Sequence, residues 1–199
     1  MSKHLMATAL AAAAVIAAPA HATSVALATD GSWNEFNVDN MISADFGNGW
    51  IDNTDGSALD FTFTIAPGHV GTLTVVDAEY AGDTFSVANF GNALGVTSSV
   101  PIGTYDGSAN PVTDFDAALA DPSFSRGVFQ FQAGSYSISG ALLQSVQFLG
   151  TDLDATTGGV RLSVSAIPEP SSPLLMLGGL VAVALLARRR HAGKSVHSL

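Results

Sequence analysis

Between residues 23 and 167, apolar and polar positions alternate in short bursts. Asp60 to Ile65 sets Phe61, Phe63 and Ile65 against Thr62 and Thr64, the period of two that puts one face of a strand inward. Thr72 to Ala78 is a second strand, rich in Val and Thr. Gly82-Asp83 reads as a turn, and Thr84 to Asn89 follows with Phe85 and Val87 on one face. Gly91-Asn92 is another turn, before Ala93 to Val96. Gly127 to Phe131, Ser135 to Gly140 and Gly159 to Ala166 complete the expected set; in the last, Val160, Leu162 and Val164 alternate with Arg161 and Ser163. Short strands punctuated by Gly, Asn and Asp about every ten residues predict an all-β, jelly-roll-like sandwich. One short helix is expected inside it at Asp116 to Pro122, capped by Asp114 or Asp116 and stopped by Pro122. There is no internal repeat.

The two ends of the chain follow a different pattern. Lys3 and His4 precede an alanine-rich apolar run, Leu5 to Ala18, and Ala20-His21-Ala22 is a small-x-small site. That order is the pattern of a secretory signal helix, cut after Ala22 or, nearly as well, after Ala20. Near the other end, Pro168-Glu169-Pro170 stiffens a spacer. An apolar run follows from Leu174 to Ala187, carried by Leu174, Leu175, Met176, Leu177, Leu180, Val181, Val183, Leu185 and Leu186, and Arg188, Arg189 and Arg190 close it. Arginines in that place stay cytoplasmic and set the orientation of a transmembrane helix. Fourteen residues rise about 21 Å, against a bilayer core of about 30 Å. The span is marginal unless Ser171 to Pro173 join it and the arginines snorkel, and Gly178-Gly179 weakens it further. A permanent anchor and a removable sorting handle both fit. The expected organisation is a signal peptide at residues 1–22, a β-sandwich body at 23–165, a Pro/Ser linker at 166–173, a transmembrane helix at 174–187 and a basic cytoplasmic tail at 188–199.

Charge sharpens this division. Of seven Lys and Arg in the chain, only Arg126 and Arg161 lie between residues 23 and 167, whereas sixteen of the seventeen Asp and Glu do; sixteen acids less two bases leaves a net charge of −14. Such a surface repels nucleic acid and anionic headgroups and suits cations or neutral partners such as sugars. The chain has no cysteine, which excludes disulfides and thiolate-bound metal or haem.

The candidate chemistry is sparse. His69 is the single histidine of the body, in a Pro67-Gly68-His69 turn with no nucleophile-elbow pattern near it. A glycosidase needs two carboxyl groups, and the body has only Glu35 and Glu79 beside its loop aspartates; Glu79, at a strand end beside Tyr80, is expected to face solvent. Calcium is the cofactor considered, with Asp52-Asn53-Thr54-Asp55-Gly56 as its best loop, flanked by Asp45, Asn48 and Asp60, and a weaker set at Asp152 and Asp154. The spacing misses the EF-hand pattern, and such runs are also ordinary turn chemistry. Trp33, Trp50, Tyr80, Tyr105 and Tyr136 are candidates for a sugar-stacking face, with the tryptophans alternatively in the core.

The Pro168-Glu169-Pro170 triplet, the apolar run and the arginine cluster together resemble the PEP-CTERM sorting signal of exported Gram-negative surface proteins, although His191 to Leu199 extend beyond the usual end. The resemblance implies processing by exosortase, a membrane transpeptidase-like enzyme, after signal peptidase and a transient stop in the inner membrane. It also implies association with exopolysaccharide or biofilm at the cell surface or in the extracellular matrix. A second resemblance, over Leu73–Glu79, Gly82–Phe85, Leu94–Ser98 and Asp116–Pro122, is to a module recurrent among PEP-CTERM proteins; it implies a β-sandwich and no functional residue. The expected function is therefore non-enzymatic, with a carbohydrate-binding module as the alternative and a secreted hydrolase third.

Overall fold

The computed structural model describes residues 22–45, 47–108, 110–168 and 172–192. The expected signal segment through His21, with Ala20, lies outside the described residues, as do Glu169, Pro170 and residues 193–199.

Twelve strands and two helices are described. In chain order they are β1 (Thr23–Ala26), β2 (Asp30–Asp39), β3 (Leu59–Ile65), β4 (His69–Asp77), β5 (Thr84–Asn89), β6 (Asn92–Val96), β7 (Thr104–Tyr105), α1 (Phe115–Ala120), β8 (Arg126–Phe131), β9 (Gly134–Gln144), β10 (Gln147–Phe148), β11 (Thr151–Asp152), β12 (Ala155–Ala166) and α2 (Ser172–Ala192). Five strands form one sheet in the order β1-β3-β9-β5-β6, and four form a second in the order β2-β12-β4-β8. A small third sheet, β11-β10-β7, sits apart. All pairings in the two large sheets are antiparallel except β1 with β3.

The two large sheets face each other. Their shared core holds Phe36, Leu73, Val75, Val160 and Leu162 from the four-stranded sheet and Phe61, Phe63, Phe85, Val87 and Ile138 from the five-stranded one. Strand β3 shows how the pattern works: Leu59, Phe61, Phe63 and Ile65 are buried and the residues between them are not. Two glycines let aromatic rings lie flat inside. A Cβ on Gly140 would come within 2.3 Å of the Trp50 ring, and one on Gly158 within 2.1 Å of the Phe36 ring. Trp50 and Phe36 stack with centroids 4.0 Å apart.

The expected strands are all present, within a few residues at their ends, and β12 continues through Ala166. Strands β1, β2, β7, β10 and β11 were not expected. The short helix forms with Asp114 as its cap, the Asp114 carboxylate accepting from the N–H groups of Asp116 and Ala117. Its far end is closed by Arg126, whose guanidinium donates to the carbonyls of Leu119 and Asp121 at 2.6 and 3.2 Å. Helix α1 covers the outer face of β4, where Val76, Ala78, Ala118 and Phe124 form a second, smaller core. The latter half of β4 is consequently buried on both faces.

Helix α2 runs past both ends of the expected 174–187 segment. Met176, Leu177, Leu180, Val181, Val183, Leu185 and Leu186 are all exposed. Among the described residues, no helix is long and apolar enough to cross a membrane.

Candidate functional site

The outer face of the four-stranded sheet carries the densest set of partly exposed polar groups. Strand β2 sends Phe36 and Val38 into the core, so Trp33, Glu35 and Asn37 face outward. Beside them lie Thr157 and Arg161 of β12, since Thr157 pairs with Asn37 and Arg161 with Trp33. Gly159 lies between, and its missing side chain admits the Phe115 ring of α1. Glu35, Asn37, Asn53, Glu79, Thr113 and Thr157 line a cavity of about 140 Å³ floored by Phe115 and its neighbours.

The side chains of this groove hold one another in place. The Thr157 hydroxyl donates to Asn37 Oδ1 at 2.9 Å, and Asn37 Nδ2 donates to Glu35 Oε1 at 3.0 Å. At the upper end, Trp33 Nε1 donates to Asp116 Oδ1 at 3.1 Å, and Arg161 Nη1 reaches the same oxygen at 2.9 Å. The Arg161 guanidinium lies 4.4 Å from the centroid of the Trp33 ring, which also packs on Phe115 at 5.5 Å. Glu79 has left-handed backbone, φ 62°, and exchanges main-chain hydrogen bonds with Val112. That turn brings the body's two glutamates to one cavity, so Glu79 lines a pocket where open solvent had been expected. Hydrogen-bonding groups beside an aromatic patch suit a neutral polyhydroxylated ligand.

The other sequence candidates are dispersed. The five aromatic residues do not share a face: Trp50 is in the core, Tyr136 packs on Phe63 and Phe131, and Tyr80 stacks on Tyr105 at 4.2 Å at a separate edge near Phe148. Only Trp33 belongs to the groove. His69 opens β4 with its Nδ1 3.2 Å from the Pro67 carbonyl. The carboxylates of the expected calcium loop are turned onto their own backbone. Asp52 accepts from the Thr54 N–H at 2.7 Å, Asp55 from Ser57 at 2.9 Å and Asp45 from Gly47 at 3.0 Å. These bonds hold Asp55 and Asp45 below the ordinary carboxylate range, the Ser57 N–H acting most on the first and the Ser43 hydroxyl on the second. Asp152 accepts from Gln147 and Asp154 from Asn40. Among the described residues, no group of three or more His, Asp or Glu is arranged to hold a metal.

Sequence reasoning missed one cluster entirely. Asp77 continues the inward register of Leu73 and Val75, and Asp83 precedes Phe85 by the same step of two. Both aspartates are fully buried. Asp77 Oδ2 accepts from the N–H groups of Gly82 and Asp83, at 3.3 and 3.2 Å, and Asp83 Oδ1 accepts from the Val146 N–H at 2.6 Å. Asp77 Oδ1, Asp83 Oδ2 and the hydroxyl of buried Thr156 make no well-formed hydrogen bond, although Thr156 is close enough to Asp83 to act on its charge. Burial pushes the Asp77 carboxyl up to about 9, with the Asp83 charge adding to it. Burial likewise pushes Asp83 up to about 6; the Thr156 hydroxyl and the Val146 N–H oppose the shift, and the Asp154 and Glu79 charges reinforce it. The period-two pattern from Leu73 through Asp77 was the signal for this cluster.

Residues 166–190 match the family model of the PEP-CTERM protein-sorting motif. The chain carries a PEP-CTERM sorting tail. The match starts on the final residue of β12 and takes in Pro168, the length of α2 as far as residue 190, and the triplet positions Glu169 and Pro170. The PEP-CTERM motif marks an exported, membrane-transiting protein sorted through exosortase. No curated protein matches the chain. Among solved structures, the pre-peptidase C-terminal domain of collagenase from Bacillus anthracis is similar at 12% identity and a TM-score of 0.38, over 74% of this chain and 99% of that domain. A likeness at this level bears on neither activity nor ligand.

Proposed function

We propose that this PEP-CTERM protein is a non-enzymatic component of the cell surface or extracellular matrix of a Gram-negative bacterium, associated with exopolysaccharide or biofilm material. The observation that carries the reading is the family match over residues 166–190. In this reading signal peptidase removes residues 1–22. Helix α2 serves as a short-lived inner-membrane stop: its apolar side chains from Met176 to Leu186 are exposed, which suits lipid, while its fourteen-residue apolar stretch makes the anchor marginal. Exosortase then removes the tail. The body is read as a jelly roll on its strand order: with β2, β3, β4, β5, β6, β8, β9 and β12 counted as first to eighth, the sheets run first-eighth-third-sixth and second-seventh-fourth-fifth. Intact-mass spectrometry of the exported protein tests the sorting step. The expected mass lacks both ends, and Glu169→Ala leaves export intact but retains the tail. An unchanged mass in the wild type would count against the proposal.

The groove on the outer face favours a second reading, a carbohydrate-binding module. Its donors and acceptors, with Trp33 and Phe115 beside them, offer what a sugar chain needs. A glycan array probed with wild type and with Glu35→Gln and Asn37→Ala separates the two. Selective binding lost in both variants favours a defined glycan ligand; absence of binding leaves the matrix role alone.

A further inference from the structure

We propose that the Asp77–Asp83–Thr156 cluster at one end of the sandwich core is a calcium site. Three strand ends bring it together. Asp77 is the last residue of β4, Thr156 is the second residue of β12, and Asp83 immediately precedes β5. Gly158 of β12 pairs directly with Asp77, so Thr156 and Asp77 stand on neighbouring strands of one sheet, while Asp83 comes from the other. The main-chain N–H of Asp83 on Asp77 Oδ2 holds the two residues together, close enough for the Asp83 charge to act on Asp77.

The argument rests on what this cluster lacks. Each carboxylate has one oxygen engaged and one left over, and the Thr156 hydroxyl, beside Asp83, makes no well-formed hydrogen bond either. Buried polar atoms are nearly always paired, and an unpaired charged oxygen in the interior is among the costliest features a fold can carry. Asp154 and Glu79 add negative charge around Asp83. The two arginines of the body are engaged elsewhere, Arg126 on the carbonyls that end α1 and Arg161 on Asp116 and Trp33. His69 is at the other end of β4, eight residues away, or roughly 26 Å along a strand. Among the described residues, no cationic side chain reaches the cluster, and a bound cation would supply the positive charge.

The oxygens identify the ion. Two carboxylates and a hydroxyl, with no nitrogen or sulfur donor among the three, describe a hard cation. Calcium tolerates an irregular shell completed by water, whereas magnesium requires near-ideal octahedral geometry. Affinity on the order of 10⁻⁴ to 10⁻³ M, typical of extracellular calcium modules, suits an exported domain. The site is distinct from the Asp52–Gly56 loop, whose carboxylates already have partners.

The test is thermal unfolding of the full chain in detergent, after chelation, with calcium added alone. The expected result is a rise in Tm of roughly 3–10 °C at about 10 mM calcium. Asp83→Asn abolishes the rise, Thr156→Val weakens calcium binding on the order of tenfold in calorimetry, and Asp52→Asn leaves both unchanged. If Asp83→Asn does not fold, Thr156→Val decides. Absence of any rise in the wild type overturns the proposal. So does a rise that survives both Asp83→Asn and Thr156→Val, or one lost in Asp52→Asn.

Discussion

Two polar clusters flank the same sheet and handle their charge in opposite ways. On the outer face, Asp116 sits between the Trp33 N–H and the Arg161 guanidinium, so both charges, Asp116 and Arg161, have partners supplied by the chain. On the inner face, Asp77 and Asp83 are each left with one unpaired carboxylate oxygen. The outer set is half in water, where a charge costs little and its pairing contributes little. The inner set is out of water, where the same carboxylate dominates its surroundings. Burial decides which of these two regimes an aspartate enters: Asp77 ends β4 in its inward register, whereas Asp116 lies on the exposed side of α1.

The largest expected effect separates the clusters by pH. In the native state Asp77 and Asp83 keep protons that the unfolded chain releases near 4, so their contribution is fully present below about 4. It is lost as pH rises through about 6 for Asp83 and about 9 for Asp77. Glu79 and Asp154 face the pair and sharpen the loss. Chelated protein should therefore show Tm falling steadily from about pH 4 to about pH 9, and Asp77→Asn should flatten most of that slope. A flat profile in the wild type would erase the contrast. The outer set carries no comparable slope.

Next comes packing beside the inner cluster. Gly158→Ala forces a methyl against the Phe36 ring and should cost about 1–3 kcal/mol in urea unfolding. Wild-type stability in this variant would mean that the layer next to Asp77 is looser than described. The smallest effect is expected outside. Asp116 is 68% exposed, so Asp116→Ala should cost no more than about 1 kcal/mol, screened further by salt. A larger loss would place the outer cluster in the same regime as the inner one.

Much of the body was legible because alternation is a strong signal where one face is buried. Phe61-Thr62-Phe63-Thr64-Ile65 could hardly be anything but a strand. Strand β2 escaped notice because Phe36 and Val38 are its only fully buried residues and both faces otherwise mix polar and aromatic types. The two-residue strands β7, β10 and β11 are too short to carry a period at all. The groove could not be read, because Glu35, Asn53, Glu79 and Thr157 are far apart in sequence and meet only through strand pairing in one sheet and the loops beside it. The buried pair could have been read, since Asp77 stands in the phase of Leu73 and Val75. Turn chemistry drew attention to the aspartates of the loops, where the carboxylates cap their own backbone.

The last strand of the body is also an interior one. Strand β12 lies between β2 and β4, and it supplies Val160 and Leu162 to the core. Without β12, β2 and β4 have no strand between them and the core lacks Val160 and Leu162. The sorting motif begins at residue 166, where β12 ends. The strand that completes the four-stranded sheet thus runs directly into the sorting tail, with no spacer between body and motif.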